Sequence, residues 1–265
     1  MGIHANVAID HVTVYCKQLD ILNGVFGALG FYTRDGKHYM FRKNYLEGYA
    51  PKEGEHYGFF PSDAGLHSFI FWSDDPDGSY RRLVEAGYEM AMPVMDFSRP
   101  ALVDGAEYTA SFRGAYLATQ LFPLSESALV RQVTPELIYL ERPDPHPNTV
   151  WAMEEFYLCI PEEAQAARAA EGLERTCALI RGEHPVHTCV NDVTAAGPEE
   201  LEARFGVKVD PERSCVTGIR FSVEDMAKLR ACAAASGLDC HEAGQALVVD
   251  ASEALNLFLV FEARA

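Results

Sequence analysis

Apolar and polar positions along the chain alternate in short runs that predict strands, and helical spacing follows. Residues 7–16, VAIDHVTVYC, are rich in valine and predict a strand. Residues 18–29 place apolar side chains on one stripe, which predicts a helix that ends at Gly30. Three strand-like runs follow at 31–33, 39–41 and 45–49. The pattern predicts a unit of one strand, one helix and three strands.

The same order of elements begins again with residues 66–72, LHSFIFW, which predict a strand. A predicted helix with an acidic first turn then runs to Gly87. We expect three more strands, around 88–92, 108–112 and 115–122. These elements form a second unit of the same kind.

The second half of the chain repeats this scheme less clearly. Strands are predicted at 150–160, 216–221, 246–249 and 255–261, with helices at 162–173 and 224–236. At an offset of 150 residues, a phenylalanine, an aspartate and a glycine recur as the pairs Phe71 and Phe221, Asp75 and Asp225, and Gly87 and Gly237. A repeat of this kind decides the architecture before any single motif does.

The repeat also divides the chain. Residues 125–148 hold four prolines and predict a linker between the halves. We therefore expect an α+β protein whose domains span residues 1–124 and 149–265.

Composition narrows the kind of partner. The 265 residues include 39 Asp and Glu against 22 Lys and Arg, a formal charge of −17. Such a surface repels nucleic acids and anionic membranes, and no apolar run is long enough to span a bilayer. The seven cysteines form no CxxC pair, which indicates reduced thiols and a cytoplasmic protein. We expect a small-molecule partner and allow for a homodimer.

Several motifs accompany the repeat. Asp10 and His11 lie on the first strand, which leads through a helix to Leu-Gly-Phe at 29–31, and NYLEGYAP follows at 44–51. DFSRP (96–100), TPELIY (134–139) and HPN (146–148) complete the set. Together they resemble the vicinal oxygen chelate superfamily, whose members include glyoxalase I, extradiol dioxygenases and bleomycin-binding proteins. The resemblance implies tandem βαβββ units that form two open barrels of the glyoxalase/bleomycin-resistance/dioxygenase type.

The resemblance also implies a metal site, with ligands from the first and last strand of each unit. His11 and Glu47 occupy these positions in the first unit, and His67 occupies the first-strand position of the second. The fourth position, counted from Gly114, falls on Ala118, which cannot bind a metal. Two histidines and one carboxylate suit a single divalent ion, either Zn, Mn, Ni, Co or Fe(II), and leave room for substrate.

Strand alternation supports a pocket on the same side of the sheet. The residues that share a face with these three ligands are mostly aromatic, as in a ligand pocket, whereas the opposite faces are aliphatic. We expect substrate to contact Tyr15, Tyr49, Phe71, Tyr116 and Gln120, with Arg99 near the mouth. The corresponding second-half positions, Glu155, Thr217 and Phe258, are not a metal set, so that barrel is interpreted as structural or as a lid.

Three functions remain open at this point. The first is a metal-dependent glyoxalase-like lyase, isomerase or hydrolase that acts on a small oxygen-rich molecule, with Glu47 or a bound hydroxide moving a proton. The second is an Fe(II) extradiol-type dioxygenase. The third is a non-catalytic protein that binds a small molecule. In a metal-free site, His11, Glu47 and His67 would instead form hydrogen bonds with one another.

Overall fold

The computed structural model describes residues 2–33, 35–51, 64–103, 105–139, 145–184 and 190–264. Its first half contains β1 (Ile3–Cys16), α1 (Leu19–Ala28), β2 (His38–Met40), β3 (Tyr45–Tyr49), β4 (Ala64–Trp72), α2 (Pro76–Glu85), β5 (Met95–Val103), β6 (Ala106–Leu117), β7 (Glu126–Gln132) and a short 3₁₀ helix (Pro135–Leu137). Its second half contains β8 (Val150–Cys159), α3 (Glu163–Arg181), β9 (Val190–Ala196), α4 (Pro198–Phe205), β10 (Val216–Val223), α5 (Met226–Ser236), β11 (Asp239–Ala243), β12 (Ala246–Ala251), α6 (Ser252–Leu255) and β13 (Leu257–Ala263). The α+β fold class predicted from the repeat is confirmed.

The long first strand joins the two halves. Residues 3–8 of β1 pair antiparallel with β9 of the second half. Further along, β1 pairs parallel with β3 and antiparallel with β4. The described strands thus form one mixed sheet, with the order β11-β12-β13-β10-β8-β9-β1-β4-β7-β6-β5 and with β3 and β2 attached to β1. This curled sheet positions the first-half pocket.

The two faces of the sheet have different neighbours. Val12 and Val14 of β1 and Phe69 and Phe71 of β4 belong to one large buried cluster with residues of the helices. Residues on the other face of the first-half strands surround an open cavity. Alternation within each strand therefore separates the core from the pocket.

The second unit differs from the prediction in its strand boundaries. Residues 88–92 form no strand apart from a single bridge at Met90, and the two runs at 108–112 and 115–122 contribute to one strand, β6. Gly114 lies inside β6, where a Cβ atom would come within 2.3 Å of the carbonyl oxygen of Leu129. This glycine permits close packing of β7 and does not form a turn.

The last strand of the second unit lies where a linker was predicted. β7 pairs with both β4 and β6, so residues 126–132 belong to the sheet of the first half. The prediction counted residues 88–92 as a strand, and the unit therefore seemed complete one strand too early. The His146-Pro147-Asn148 motif does form a connection between the halves, because Nδ1 of His146 accepts a hydrogen bond from the Tyr32 backbone.

The third unit departs most from the repeat. After β8 and α3, the described residues contain β9 and then helix α4 in place of further strands. Leu201 and Phe205 of α4 are buried in a cluster with Tyr157 and Phe258, on the face of the second-half sheet that is opposite the main core. Within the described residues, this helix covers that face of the second-half sheet.

Other predictions concern cysteines and membranes. The six described cysteines are free thiols, and Cys189 lies outside the described residues. Burial raises the pKa of the Cys16 thiol from 9.0 to about 12, which makes it a poor nucleophile. Within the described ranges, no helix is long and apolar enough to cross a membrane.

Replacing Phe205 with alanine tests the filling of the second half. The ring lies 4.8 Å from that of Tyr157 and 4.9 Å from that of Phe258, measured between centroids. We expect Phe205→Ala to lower the free energy of unfolding by about 3–5 kcal/mol, because it leaves a cavity between two rings. Urea unfolding measures this, and Glu199→Gln on the exposed side of α4 should change it by less than about 0.5 kcal/mol. Equal effects of the two substitutions would show that α4 does not support this half.

Candidate functional site

A cavity of about 190 Å³ opens on the concave face of the first-half sheet. We call it the inner cavity. Its walls are mainly aromatic and aliphatic, and its charged or titratable side chains come from β1, β3 and β5. It is lined by His11, Tyr45, Glu47, Ile70, Phe97, Arg99, Phe112, Gly114, Ala115, Tyr116, Ala128, Leu129 and Val130.

His11 is oriented by a buried carboxylate. Asp10 is 1% exposed, and its Oδ1 lies 2.6 Å from Nδ1 of His11. Oδ1 also accepts from Nε2 of Gln132 at 2.9 Å, and Oδ2 accepts from the Tyr139 hydroxyl at 2.9 Å. Because the carboxylate can only accept hydrogen bonds here, Nδ1 of His11 carries the proton. Nε2 of a neutral His11 is then a base that lies at the inner cavity.

Glu47 lies between two imidazoles. Its Oε2 is 4.0 Å from Nε2 of His11, and its Oε1 is 3.4 Å from Nε2 of His38. Nδ1 of His38 lies 2.5 Å from Oδ2 of Asp35, so this ring is also oriented by a carboxylate. Nζ of Lys37 is 3.4 Å from Oε1 of Glu47. The two oxygens of Glu47 therefore face different histidines.

The charge of Glu47 is strongly stabilised. Burial raises the pKa of its carboxyl group, but the hydrogen bond with His38 and the nearby charges of His38, His11 and Lys37 outweigh this effect. Together they lower the pKa from 4.5 to about 2. Glu47 is therefore an anion at every pH at which a folded protein is normally studied.

Arg99 supplies a cation that has no carboxylate partner among the described residues. It lies on β5, where one guanidinium nitrogen donates to the backbone oxygen of Pro100 at 3.3 Å. The guanidinium carbon lies 5.6 Å from the centre of the Phe112 ring. The remaining N–H donors of this half-buried side chain are available to two adjacent oxygens of a ligand.

The predicted site residues separate into two groups. Four of them, His11, Glu47, Arg99 and Tyr116, line the inner cavity. The others lie elsewhere.

The face of β4 that borders the inner cavity carries Ile70, whereas Phe69 and Phe71, which alternate with His67, belong to the buried core. Thr13 of β1 pairs with Ser68, whereas the next residue, Val14, pairs with Leu66, so the register skips His67. The prediction therefore chose the wrong face of β4 for the cavity. Ring nitrogen Nδ1 of His67 lies 3.3 Å from the carbonyl oxygen of Leu124, and the side chain is not part of the cavity lining. The predicted set of His11, Glu47 and His67 is therefore not brought together.

The remaining predicted contacts lie around the cavity or away from it. The Tyr15 hydroxyl donates to Glu126, and the Tyr15 ring makes an edge contact with Tyr49 at 5.5 Å. Phe71 is fully buried in the main core. Gln120 is exposed after β6 and lines a different surface depression.

Three further residues shape the site, of which the sequence placed Tyr45 on the pocket face but did not indicate Gln132 or Tyr139. Tyr45 stacks on the ring of His11 at 4.3 Å, and Gln132 and Tyr139 bind the Asp10 carboxylate. Tyr139 is the last residue of the TPELIY motif, so that motif could have identified Tyr139 as a site residue. No sequence feature indicated that Gln132 belongs to the site, because residues 125–148 were assigned to a linker.

The second-half residues at the positions of the predicted metal ligands make contacts within the protein. Glu155 accepts hydrogen bonds from Thr194 at 2.5 Å, from Tyr157 at 2.8 Å and from Arg220 at 2.9 Å. Thr217 is fully buried. The ring of Phe258 is so close to Gly218 that a Cβ atom there would lie 2.3 Å from it. This half therefore fits the structural interpretation.

The donor set does not fit the metal centre of the superfamily. The strands that would supply the other two ligands, β4 and β7, present Ile70, Ala128 and Val130 to the inner cavity. The last strand of the second unit is thus β7 and does not include Ala118; the one carboxylate of β7, Glu126, accepts a hydrogen bond from the Tyr15 hydroxyl and does not line the inner cavity. No group of three His, Cys, Asp or Glu side chains able to hold a metal is present among the described residues.

Four of the motifs that suggested a family converge on this one cavity, through Asp10 and His11, Glu47, Arg99, and Tyr139 by way of Asp10. A family model described as a glyoxalase-like domain matches residues 9–174. The chain belongs to this glyoxalase-like family. The matched region contains the whole inner cavity.

Solved structures support the fold at low sequence identity. The Mn(II)-bound glyoxalase from Novosphingobium aromaticivorans superposes with a TM-score of 0.56 at 10% identity, covering 98% of this chain and 83% of that chain. A mutant 4-hydroxymandelate synthase from Streptomyces coelicolor gives 0.51 at 12% identity, with coverages of 98% and 94%. A fusion of a xylose isomerase-like TIM barrel with 4-hydroxyphenylpyruvate dioxygenase gives 0.59 at 12% identity, and 98% of this chain spans 49% of it. No curated protein matches the chain.

The pKa of Glu47 predicts how stability depends on pH. Because the folded pKa of about 2 lies below the unfolded value of about 4.5, the carboxylate stabilises the fold above pH 4.5. This contribution is lost as the pH falls from 4.5 towards 2. We expect the difference in unfolding free energy between the wild type and Glu47→Gln to shrink over this range, as measured by urea unfolding. A difference that stays constant with pH would contradict the assignment.

Proposed function

We propose that the inner cavity is the active site of a proton-transfer enzyme, an isomerase or lyase that acts on a small compound with two adjacent carbonyl-type oxygens. The observation that carries this proposal is the Asp10–His11 pair, whose free Nε2 lies at the cavity beside Glu47. Arg99 lines the same space. A base and a cation that line the same cavity, the cation having no carboxylate partner among the described residues, are what proton abstraction next to a carbonyl requires.

Each group has a defined role in this reaction. The Arg99 guanidinium binds the two adjacent oxygens of the substrate as a fork. Nε2 of His11 removes a proton from the carbon next to the carbonyl, and the electron pair of that C–H bond moves to the carbonyl oxygen. The guanidinium stabilises the resulting enolate. In an isomerase, the imidazolium then gives the proton to the enolate oxygen, which yields the enol tautomer. In a lyase, the enolate expels a leaving group from the neighbouring carbon, and that group takes up the proton.

The sequence analysis assigned proton transfer to Glu47, whereas the proposal assigns it to His11. A carboxylate with a pKa of about 2 is a weak base near neutral pH, whereas an imidazole is matched to that range. At 4.0 Å, the Glu47 anion instead stabilises the positive charge that His11 acquires. Aromatic walls from Tyr45, Phe112 and Tyr116 favour an aryl-bearing substrate.

The proposal contains no step that involves a metal. The described residues supply one histidine and one carboxylate to the cavity, fewer than the two histidines and one carboxylate that the metal enzyme and the dioxygenase both need. His38 contacts the other oxygen of Glu47 and does not line the inner cavity. Because the Novosphingobium glyoxalase structure is Mn(II)-bound, the test of the proposal also measures activity after Mn(II) is added.

Deuterium exchange tests the proposal with phenylpyruvate as probe. Proton NMR in D₂O follows the loss of the signal from the carbon next to its keto group. We expect chelator-treated wild-type protein to accelerate the exchange over buffer. His11→Gln should lower the rate by about 10²–10⁴-fold, the usual contribution of a positioned base. Arg99→Gln should lower kcat as well as raise KM, because the guanidinium both binds the two oxygens and stabilises the enolate.

His4→Gln is the matched control, since His4 lies on the same strand and outside the inner cavity. It should exchange phenylpyruvate at the wild-type rate. The proposal fails if wild-type protein does not exceed the buffer rate, or if His11→Gln exchanges as fast as the wild type. Activity that appears only after Mn(II) is added would favour the metal-dependent alternative.

A further inference from the structure

A second cavity, which we call the outer cavity, has a volume of about 270 Å³ and adjoins the inner one. It lies among β2, the β5–β6 hairpin and the 3₁₀ helix. Its lining comprises Tyr32, Thr33, Asp35, His38, Met40, Arg99, Pro100, Ala101, Leu102, Glu107, Leu137, Ile138 and His146. The acid–base chemistry proposed above makes no use of this space.

Two contacts show that the cavities adjoin. Arg99 lines both of them, so its guanidinium lies at their boundary. Tyr45 lines the inner cavity and Ala101 and Ile138 line the outer one, and these three side chains pack together in one buried cluster. The wall between the cavities is therefore a thin apolar layer with a cation at its edge.

The position of Arg99 limits the shape of the ligand. A ligand group that binds this guanidinium lies between the two cavities. One substituent of the ligand can then extend into each cavity. A simple 2-oxo acid ends at its carboxylate and would leave the outer cavity empty. A compound whose two adjacent carbonyl oxygens are internal would fill both.

The lining of the outer cavity limits the chemistry of the second arm. Met40, Leu102, Leu137 and Ile138 supply apolar surface. The carboxylates of Asp35 and Glu107 line the same space, and they disfavour an anionic arm. The apolar surface favours an apolar arm, and the two carboxylates disfavour an anionic one.

We propose that the substrate is an uncharged vicinal dicarbonyl compound with two arms, its adjacent oxygens on Arg99, its reactive arm in the inner cavity and an apolar arm in the outer cavity. This inference rests on the proposed function and names the substrate class of that site. It makes the outer cavity a specificity-determining subsite, with Leu137 as a main contact of the second arm.

Two uncharged probes isolate the second arm. The N-methyl and N-butyl amides of phenylpyruvate present the same two oxygens and the same aryl arm to the protein, and they differ only by three methylene groups. Isothermal titration calorimetry gives the ratio of their Kd values. We expect the N-butyl amide to bind wild-type protein about tenfold or more tightly than the N-methyl amide, because its extra methylenes leave water.

Filling the outer cavity should remove this preference. In Leu137→Trp, the ratio should fall to about one, and Leu102→Trp provides a second variant if the first does not fold. Leu179→Trp is the matched control, because Leu179 is half-buried in α3 and lines neither cavity. This control should keep the wild-type ratio.

The outcomes separate the two proposals. A wild-type ratio near one, no binding of either amide, or an unchanged ratio in both folded outer-cavity variants would overturn the two-arm substrate. If phenylpyruvate exchange still depends on His11 in that case, the proposed function survives and only the substrate class is wrong. If exchange fails while the ratio is high and sensitive to Leu137→Trp, the cavities bind a two-arm ligand without the proposed proton transfer.

Discussion

The burial of one charge, that of Asp10, links the fold of the first half to its site. A carboxylate that is 1% exposed would cost several kcal/mol if it were left unpaired. Its three side-chain donors come from β1, from the end of β7 and from the segment after the 3₁₀ helix. Closing the first-half sheet and orienting the imidazole of His11 are thus results of the same hydrogen bonds. If β7 separated from the sheet, Asp10 would lose its bond from Gln132, and the orientation of His11 as a base would be lost as well.

The two halves use similar elements in opposite ways. In the second half, helix α4 covers the concave face, and the Glu155 carboxylate is satisfied by three internal donors. In the first half, the β5–β6 hairpin forms the edge of the sheet, and Arg99 on this hairpin lines two cavities. Pairing of β1 with β9 joins the filled half to the open one. The second half therefore provides a rigid edge from which β1 carries His11.

The sequence predicted the fold and part of the site because both depend on local patterns. Repeat order and motif matches identified the α+β units, and alternation placed His11, Glu47 and Tyr116 on one face. The face of β4 that borders the cavity depends on the pairing of Ile70 with His11, two residues distant in sequence, which one sequence does not reveal. Gly114 resembled a turn because a close approach to Leu129 and a turn both require a missing side chain. Misreading that glycine also hid Gln132, since it ended the second unit too early.

Electrostatics explains why an uncharged ligand suits this site better than an anion. The whole chain carries a formal charge of −17, which disfavours the approach of an anion at long range. At short range, Arg99 is the one unpaired cation of the described cavity residues, and it has Glu47 on one side and Asp35 and Glu107 on the other. A neutral pair of carbonyl oxygens avoids both sources of repulsion and still accepts the guanidinium hydrogen bonds. Negative charge then appears on the ligand only as the enolate forms, directly beside Arg99, so the cation stabilises the transition state more than the bound substrate.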